Sequence, residues 1–280
     1  EDLWNDTRAN ANIISILQGY SDPRLERWFA TNNADIYSTD DELSPVVEKA
    51  TKYLGARQGV PMTRTEYQGY SKTSRVGIPE QGPRPVLRVA EAYFLRAEGM
   101  LRNWNMGDGT PESLYNEGIH SAWASVLGDE SGWAGTYESY INGFINTEEG
   151  GDFDWELFEG GFGSAPYINY RNQEYNYYIE ENGKQVGINR ISVRWHDEDS
   201  PEKKLQRIIT QKWISFFPTL SSVAWTEYRR TGYPELYPCI DNLSDCGVSS
   251  QRGMRRLSFP YTEAQNNKAN YDLGVAELGG

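Results

Sequence analysis

Carboxylates are the side chains in this sequence with the most obvious capacity for chemistry, and three of them alternate with aromatic residues. Asp152, Asp154 and Glu156 lie in the stretch GGDFDWELFEGG. A glycosidase needs two carboxyl groups about 5–10 Å apart, whereas alternating acids also bind calcium or simply solvate a loop. Because no second acid can be placed opposite these three from sequence, solvation is the preferred interpretation. Binding of a metal ion or of sugar hydroxyls, and catalysis, are the alternatives.

The two histidines of the chain do not complete a catalytic pattern. His120 and His196 lie in different segments, and neither belongs to a His-Glu-x-x-His motif. The glycine-rich stretch GGFGSAP lacks the lysine of a phosphate-binding loop, and no Gly-x-Ser-x-Gly or dinucleotide motif occurs. We therefore predict structural or exposed histidines, no catalytic residues, no metal site and no cofactor.

Aromatic residues are abundant in residues 129–200, where they are set among glycines, acids and amides without a single period. Sugar rings have flat apolar faces edged by hydroxyls, so an oligosaccharide site needs aromatic platforms beside amide, carboxylate or guanidinium groups. The candidate ligand-binding residues are Trp133, Tyr137, Trp155, Tyr167, Tyr170, Arg171, Asn172, Tyr175 and Tyr177. The alternative is that these side chains attach an insertion to the rest of the fold.

Two predicted helix pairs, at 84–127 and 202–231, flank this aromatic insertion. Helical spacing predicts an inward face made of Val86, Ala90, Tyr93, Ala97, Leu101 and Trp104 in the first pair. In the second pair, Leu205, Ile209, Trp213 and Phe216 define one helix, and Val223, Trp225 and Tyr228 lie on a shorter one. Pro218 separates those two helices, Ser221 or Ser222 is the expected cap, and Gly232 is the expected stop.

Local signals predict the remaining elements. Asp22 and Pro23 favour the start of a short helix, and Asn182-Gly183 favours a small β-hairpin. A further short helix is expected near 135–146. After Pro234 the chain reads as extended and irregular, apart from a short turn at 262–265.

Charge and cysteine content limit the possible environments and partners. The formal net charge of −13 repels phosphate backbones, so we predict no nucleic-acid binding. No apolar run approaches the roughly 20 residues needed to cross a bilayer. Cys239 and Cys246 lie close together in a polar loop and are predicted to form a disulfide, with two separate thiols as the alternative.

Three stretches of the sequence, QKWISFFPTLSSVAWTEYRRTGYP, AEAYFLRAEG and YNEGIHSAWASVLG, together have the pattern of a known family. They resemble, in that order, the C-terminal signature, a tetratricopeptide-like helix and the partner of that helix in the SusD/RagB family of outer-membrane glycan-binding lipoproteins. The resemblance implies an all-α fold of tetratricopeptide-like helix pairs with long irregular loops and an aromatic-rich insertion. We expect a single SusD-like domain over residues 1–280, forming the C-terminal portion of a longer protein.

The resemblance also implies a function and a location. We expect non-enzymatic capture of an oligosaccharide, polysaccharide or other nutrient at the cell surface, for delivery to a TonB-dependent outer-membrane transporter. Attachment would be through an N-terminal lipid-bearing cysteine that is not present in this chain. The alternatives are a glycoside hydrolase of helical-barrel type and a scaffold that binds only protein.

Overall fold

The computed structural model describes residues 8–31, 53, 55–56, 58–59, 85–142, 179–181, 184–186, 189, 191–239, 253 and 259–278. The helices of this part of the chain are α1 (Ala11–Gly19), α2 (Arg24–Trp28), α3 (Val89–Leu101), α4 (Pro111–Leu127), α5 (Ala134–Ile141), α6 (Pro201–Phe216), α7 (Ser221–Thr231), α8 (Tyr261–Asn266) and α9 (Lys268–Glu277). Strands β1 (Ile179–Glu181) and β2 (Lys184–Val186) pair antiparallel, which confirms the predicted hairpin. The fold is all-α, built from tetratricopeptide-like helix pairs.

Helix α1 is enclosed by the rest of the fold on every side. Its residues from Ala11 to Gln18 are all buried. A helix buried all round shows no amphipathic period, which explains why the sequence of this segment shows none. Its start is fixed by Asn10, whose side chain accepts a hydrogen bond of 2.9 Å from the backbone N–H of Asn12.

Helices α3 and α4 pack closely against each other because small residues allow it. Ala90, Phe94 and Ala97 are buried on α3, and Gly118 of α4 faces the Phe94 ring. The predicted inward face was wrong at both ends, since Val86 and Trp104 are 92% and 63% exposed. Both residues lie outside the bounds of α3, so the helical spacing that the prediction assumed does not apply to them.

Helices α6 and α7 form the second pair, and α6 begins at Pro201. The Ser200 side chain accepts a hydrogen bond from the Lys203 N–H, and Gly232 ends α7 with a φ of +86°. The predicted cap of α7 was wrong. Leu220 occupies the capping position and makes no side-chain hydrogen bond there, because the turn from α6 places the serines inside the helix.

The C-terminal segment was predicted to be irregular, yet it contains α8 and the ten-residue helix α9. Neither helix buries a residue. A helix that buries no face leaves no apolar period in its sequence, so periodicity could not reveal α9. Across the described residues, no helix is both long enough and apolar enough to cross a membrane.

Buried polar contacts join α2, α5 and α6 through the core. Asp22 and Arg24 form an ion pair of 2.6 Å with no exposed side-chain surface. The Tyr140 hydroxyl donates to Asp22 Oδ2 at 2.9 Å, and Gln211 Nε2 donates to that hydroxyl at 3.0 Å. The Asp22 carboxylate and the Tyr140 hydroxyl thereby gain partners, which offsets the cost of removing them from water.

The described part of the chain does not test two of the predictions. The assignment of residues 1–280 to a single domain stays a prediction. Cys239 is half-buried, whereas Cys246 lies outside the described residues, so their disulfide also stays a prediction.

Candidate functional site

Two of the predicted ligand contacts, Trp133 and Tyr137, lie within a buried aromatic cluster. Their side chains are 5% and 8% exposed. Their rings pack edge-to-face on Trp123, with centroids 5.7 and 5.6 Å away. Trp133 Nε1 donates to the Gly128 carbonyl at 3.2 Å, and the Tyr137 hydroxyl donates to the Asn116 carbonyl at 2.8 Å. Both residues therefore pack and hydrogen-bond within the fold, and their contact with a ligand stays a prediction.

The other predicted site residues lie outside the described part of the chain. They are Trp155, Tyr167, Tyr170, Arg171, Asn172, Tyr175 and Tyr177 in the aromatic insertion, together with the acids Asp152, Asp154 and Glu156. Their roles stay predictions.

The histidines occupy separate local environments. His120 packs on Trp133 and Tyr137, with ring centroids 5.1 and 5.3 Å away, and its Nε2 lies 3.3 Å from Glu130 Oε1. His196 Nδ1 lies 3.4 Å from Glu198 Oε1. Each histidine thus has a neighbouring acid of its own, and the two do not combine into one site. Within the described residues, no group of three or more potential ligands could hold a metal ion.

A cleft with aromatic walls opens at the junction of α6 and α7, and we call it the aromatic cleft. Its volume is about 220 Å³. Its lining residues are Ile13, Trp213, Phe216, Phe217, Pro218, Ser221, Ala224, Trp225, Tyr228 and Leu236. Among these described lining residues there is no acid and no histidine, so the cleft offers apolar contact area rather than a general acid or base.

Trp225 is the most accessible aromatic residue of this cleft. It is 45% exposed, and the Arg229 guanidinium carbon lies 4.5 Å from its ring centroid. Stacking on a cation holds an exposed indole in place. The sequence predicts only that Trp225 lies on the shorter helix of the second pair, because spacing reports the face of a helix but not what covers that face.

A charge network fixes α7 against α3 and α6 beside the cleft, and it comprises Lys212, Glu227, Arg230, Glu98 and Arg102. Lys212 Nζ lies 3.1 Å from Glu227 Oε2, and Arg230 lies 2.7 Å from the same oxygen. Arg230 also donates to both oxygens of Glu98, at 2.6 and 2.8 Å. Arg102 completes the chain at 2.7 Å from Glu98 Oε1. This fork geometry orients α7 specifically.

The electrostatics of the network favour ionised carboxylates. Burial raises the pKa of Glu98, but the hydrogen bonds from Arg230 and Arg102 outweigh burial and leave that pKa lowered. Burial likewise raises the pKa of Glu227, and its contacts with Arg230 and Lys212 reverse the shift. Both groups are therefore charged at neutral pH, which keeps the network intact.

The all-α scaffold of helix pairs belongs to a defined class of proteins. The SusD-like family model, described as Susd and RagB outer membrane lipoprotein, matches residues 1–140 and 162–280. The chain therefore belongs to the SusD/RagB family. A comparison with curated protein sequences finds no significant match.

Solved structures agree with this assignment. The chain is similar to a chitin-binding SusD homolog from Flavobacterium johnsoniae, with 32% identity over 99% of this chain and a TM-score of 0.66. A SusD homolog from Bacteroides uniformis shares 28% identity over 98% of the chain, with a TM-score of 0.69. A SusD-like protein from Bacteroides thetaiotaomicron shares 28% identity over 98%, with a TM-score of 0.66. Each match covers 48% of the solved chain, so this chain spans about half the length of these relatives.

Proposed function

We propose that this protein captures an oligosaccharide at the cell surface without cleaving it. The observation that carries this proposal is the family match, which covers most of the chain. The similarity to a chitin-binding relative adds chitin oligosaccharides to the ligands that merit testing. Delivery to a TonB-dependent transporter and lipid attachment to the outer membrane complete the proposal, in keeping with the family's description as outer membrane lipoproteins.

Binding without hydrolysis is favoured over catalysis by the chemistry of the described residues. The aromatic cleft has apolar walls and no acid or histidine in its described lining. His120 and His196 each contact a separate exposed glutamate, so they are not arranged as a base beside a nucleophile. A glycoside hydrolase of helical-barrel type and a purely protein-binding scaffold are the competing functions.

A titration calorimetry panel tests the proposal and separates these competitors. The full chain is titrated with chitin oligosaccharides and with neutral and acidic polysaccharides, and each mixture is then analysed for released reducing ends. We expect binding with no released product. Release of reducing sugar would favour the hydrolase, and absence of binding to every glycan would favour the protein-binding scaffold.

Paired substitutions then locate the contact. We propose the aromatic insertion as the site, so Trp155→Ala with Tyr177→Ala is expected to weaken glycan affinity by about tenfold or more, since each stacked aromatic contributes roughly 1 kcal/mol. The matched control is Trp104→Ala with Tyr261→Ala, which removes two exposed aromatics of the same types outside the insertion. Unchanged affinity in the first double variant, with loss in Trp225→Ala, would move the contact to the aromatic cleft.

A further inference from the structure

Helix α7 forms one wall of the aromatic cleft, yet it contributes little to the hydrophobic core. Ala224 is its one buried residue, whereas α6 buries residues 207–212 and 214–216. Ala224 packs with Phe216 and Leu220 in a small cluster, and among the described residues no member of the main core cluster comes from α7. A helix that packs on a separate small cluster can open without disrupting the main one.

Charged side chains attach α7 to α3 and α6. Arg230 donates to both oxygens of Glu98 on α3, and Lys212 Nζ on α6 lies 3.1 Å from Glu227 Oε2. The side chains of Glu98, Glu227 and Lys212 are buried, so loss of a partner leaves a charge that water cannot easily solvate. These ion pairs thus join α7 to helices against which it buries little apolar surface.

The chain is fixed in place on both sides of α7. Before the helix, Phe216 is fully buried. After it, the Tyr237 N–H donates to Asn12 Oδ1 at 2.7 Å, and the Tyr237 hydroxyl lies 2.9 Å from Ser15 Oγ. Gly232 ends the helix with a φ of +86°, a conformation that glycine adopts at little cost. Helix α7 therefore lies between two anchored positions, with a conformationally free residue at its C-terminal end.

The aromatic cleft leaves space along the inner face of α7. Ser221, Trp225 and Tyr228 line it from α7, and Ile13 and Trp213 line it from α1 and α6. Side chains beside an open cleft lack partner atoms on one side, so they make fewer dispersion contacts than side chains in a filled core. Separating α7 from α6 therefore breaks fewer contacts than separating a close-packed helix pair.

We infer that α7 is a movable wall of the aromatic cleft, held closed by the charge network and able to open while α6 and the main core stay folded. Opening breaks the contact of Ala224 with Phe216 and widens the cleft along its apolar side. The volume of about 220 Å³ is then the volume of the closed form. The inference goes beyond glycan capture and does not depend on it.

Hydrogen exchange of the full chain at neutral pH, followed by mass spectrometry, tests this inference. We expect protection factors at least about tenfold lower for amides 225–231 in α7 than for amides 211–216 in α6. Arg230→Gln should speed exchange in α7 by about tenfold or more, because charge-assisted hydrogen bonds to Glu98 are lost, and should change exchange in α6 by less than about twofold. Arg229→Gln is the matched control, since it removes the neighbouring charge of the same helix from outside the charge network.

Three results would overturn the inference. Equal protection of α6 and α7 in the wild type would mean that α7 opens only when the whole chain unfolds. Equal acceleration of both helices in Arg230→Gln would mean the same for the variant. An equally large acceleration of α7 in Arg229→Gln would show that opening does not depend on the charge network. Arg230→Lys keeps the charge without the fork, so it provides the same comparison if the glutamine variant does not fold.

Discussion

Glu98 links α3 to α7 through its two oxygens. Its partners, Arg230 on α7 and Arg102 after α3, are half-exposed, whereas Glu98 itself is buried. Removing Glu98 leaves two arginines that water can still solvate. Removing one of the arginines instead would leave the buried charge of Glu98 with one partner fewer. The importance of the network therefore centres on Glu98, whose buried charge depends on its arginine partners.

Replacement of Glu98 by glutamine tests that importance. Glu98→Gln keeps the shape of the side chain but removes the charge that Arg230 and Arg102 share. We expect a loss of about 2 kcal/mol in the free energy of unfolding, measured by urea titration. The control is Glu117→Gln on the exposed face of α4, which should change stability by less than about 0.5 kcal/mol. Equal effects would show that the network contributes little.

The buried hydroxyl of Tyr140 supports a second prediction at the same scale. Tyr140→Phe removes the donor to Asp22 and the acceptor for Gln211, which leaves two buried polar groups with fewer partners. We expect a cost of about 1–2 kcal/mol by thermal or urea unfolding. Tyr261→Phe removes an exposed hydroxyl and should be neutral. A neutral result for Tyr140→Phe would mean that water replaces the lost contacts.

At the scale of elements, the contact between α3 and α4 depends on a missing side chain. A Cβ added at Gly118 would lie 2.6 Å from the Phe94 ring, which is fully buried and cannot easily move. The two helices approach closely because this glycine leaves room for the ring.

Paired alanine substitutions test this helix contact. Gly118→Ala should lower the free energy of unfolding by about 1–3 kcal/mol through overpacking. Gly135→Ala in α5 adds the same methyl group where nothing lies within 4 Å, so it should be neutral or stabilise by up to about 1 kcal/mol. Calorimetric Tm values of the two variants provide the comparison. A stabilised Gly118→Ala would mean that the helices can separate without cost.

Helix starts were predictable from sequence where the signal is local. Thr110 with Pro111, and Ser200 with Pro201, stand at the starts of α4 and α6, and such a signal is readable because cap and first turn are neighbours in the chain. The exposure of Trp225 was not predictable, because it depends on elements far away in sequence. The sequence left the role of Trp133 open between ligand contact and packing, since the same residue types serve sugar stacking and core packing.

At the scale of the whole molecule, several carboxylates with lowered pKa values link stability to pH. Burial raises the pKa values of Glu98, Glu227 and Asp199, but arginine and lysine partners outweigh it in each case. The folded state therefore binds protons less readily at these sites than the unfolded chain does. This stabilisation is complete above the ordinary values of 4.5 and 3.8 and is lost as the pH falls through the lowered ones.

Acid unfolding checks this linkage. Urea midpoints should stay level from pH 7 to about 5 and then fall steeply below the ordinary carboxyl pKa values. Glu98→Gln, which lacks one of the titrating groups, should show a shallower decline over the same range. A parallel decline in the variant and the wild type would show that other carboxylates control acid stability.

The contacts of Tyr20 have a consequence for how this scaffold can diversify. Its ring packs on Tyr140 of α5 with centroids 6.1 Å apart, and its hydroxyl donates to the Ile191 carbonyl at 2.7 Å. Tyr140 and Ile191, which lie on either side of the aromatic-rich segment, thus both contact Tyr20 in the core. Closing a loop of twice the length costs only about 0.6 kcal/mol more in chain entropy. Selection can therefore lengthen, shorten or replace that segment while the same core closes its ends, which lets one framework acquire new ligand preferences.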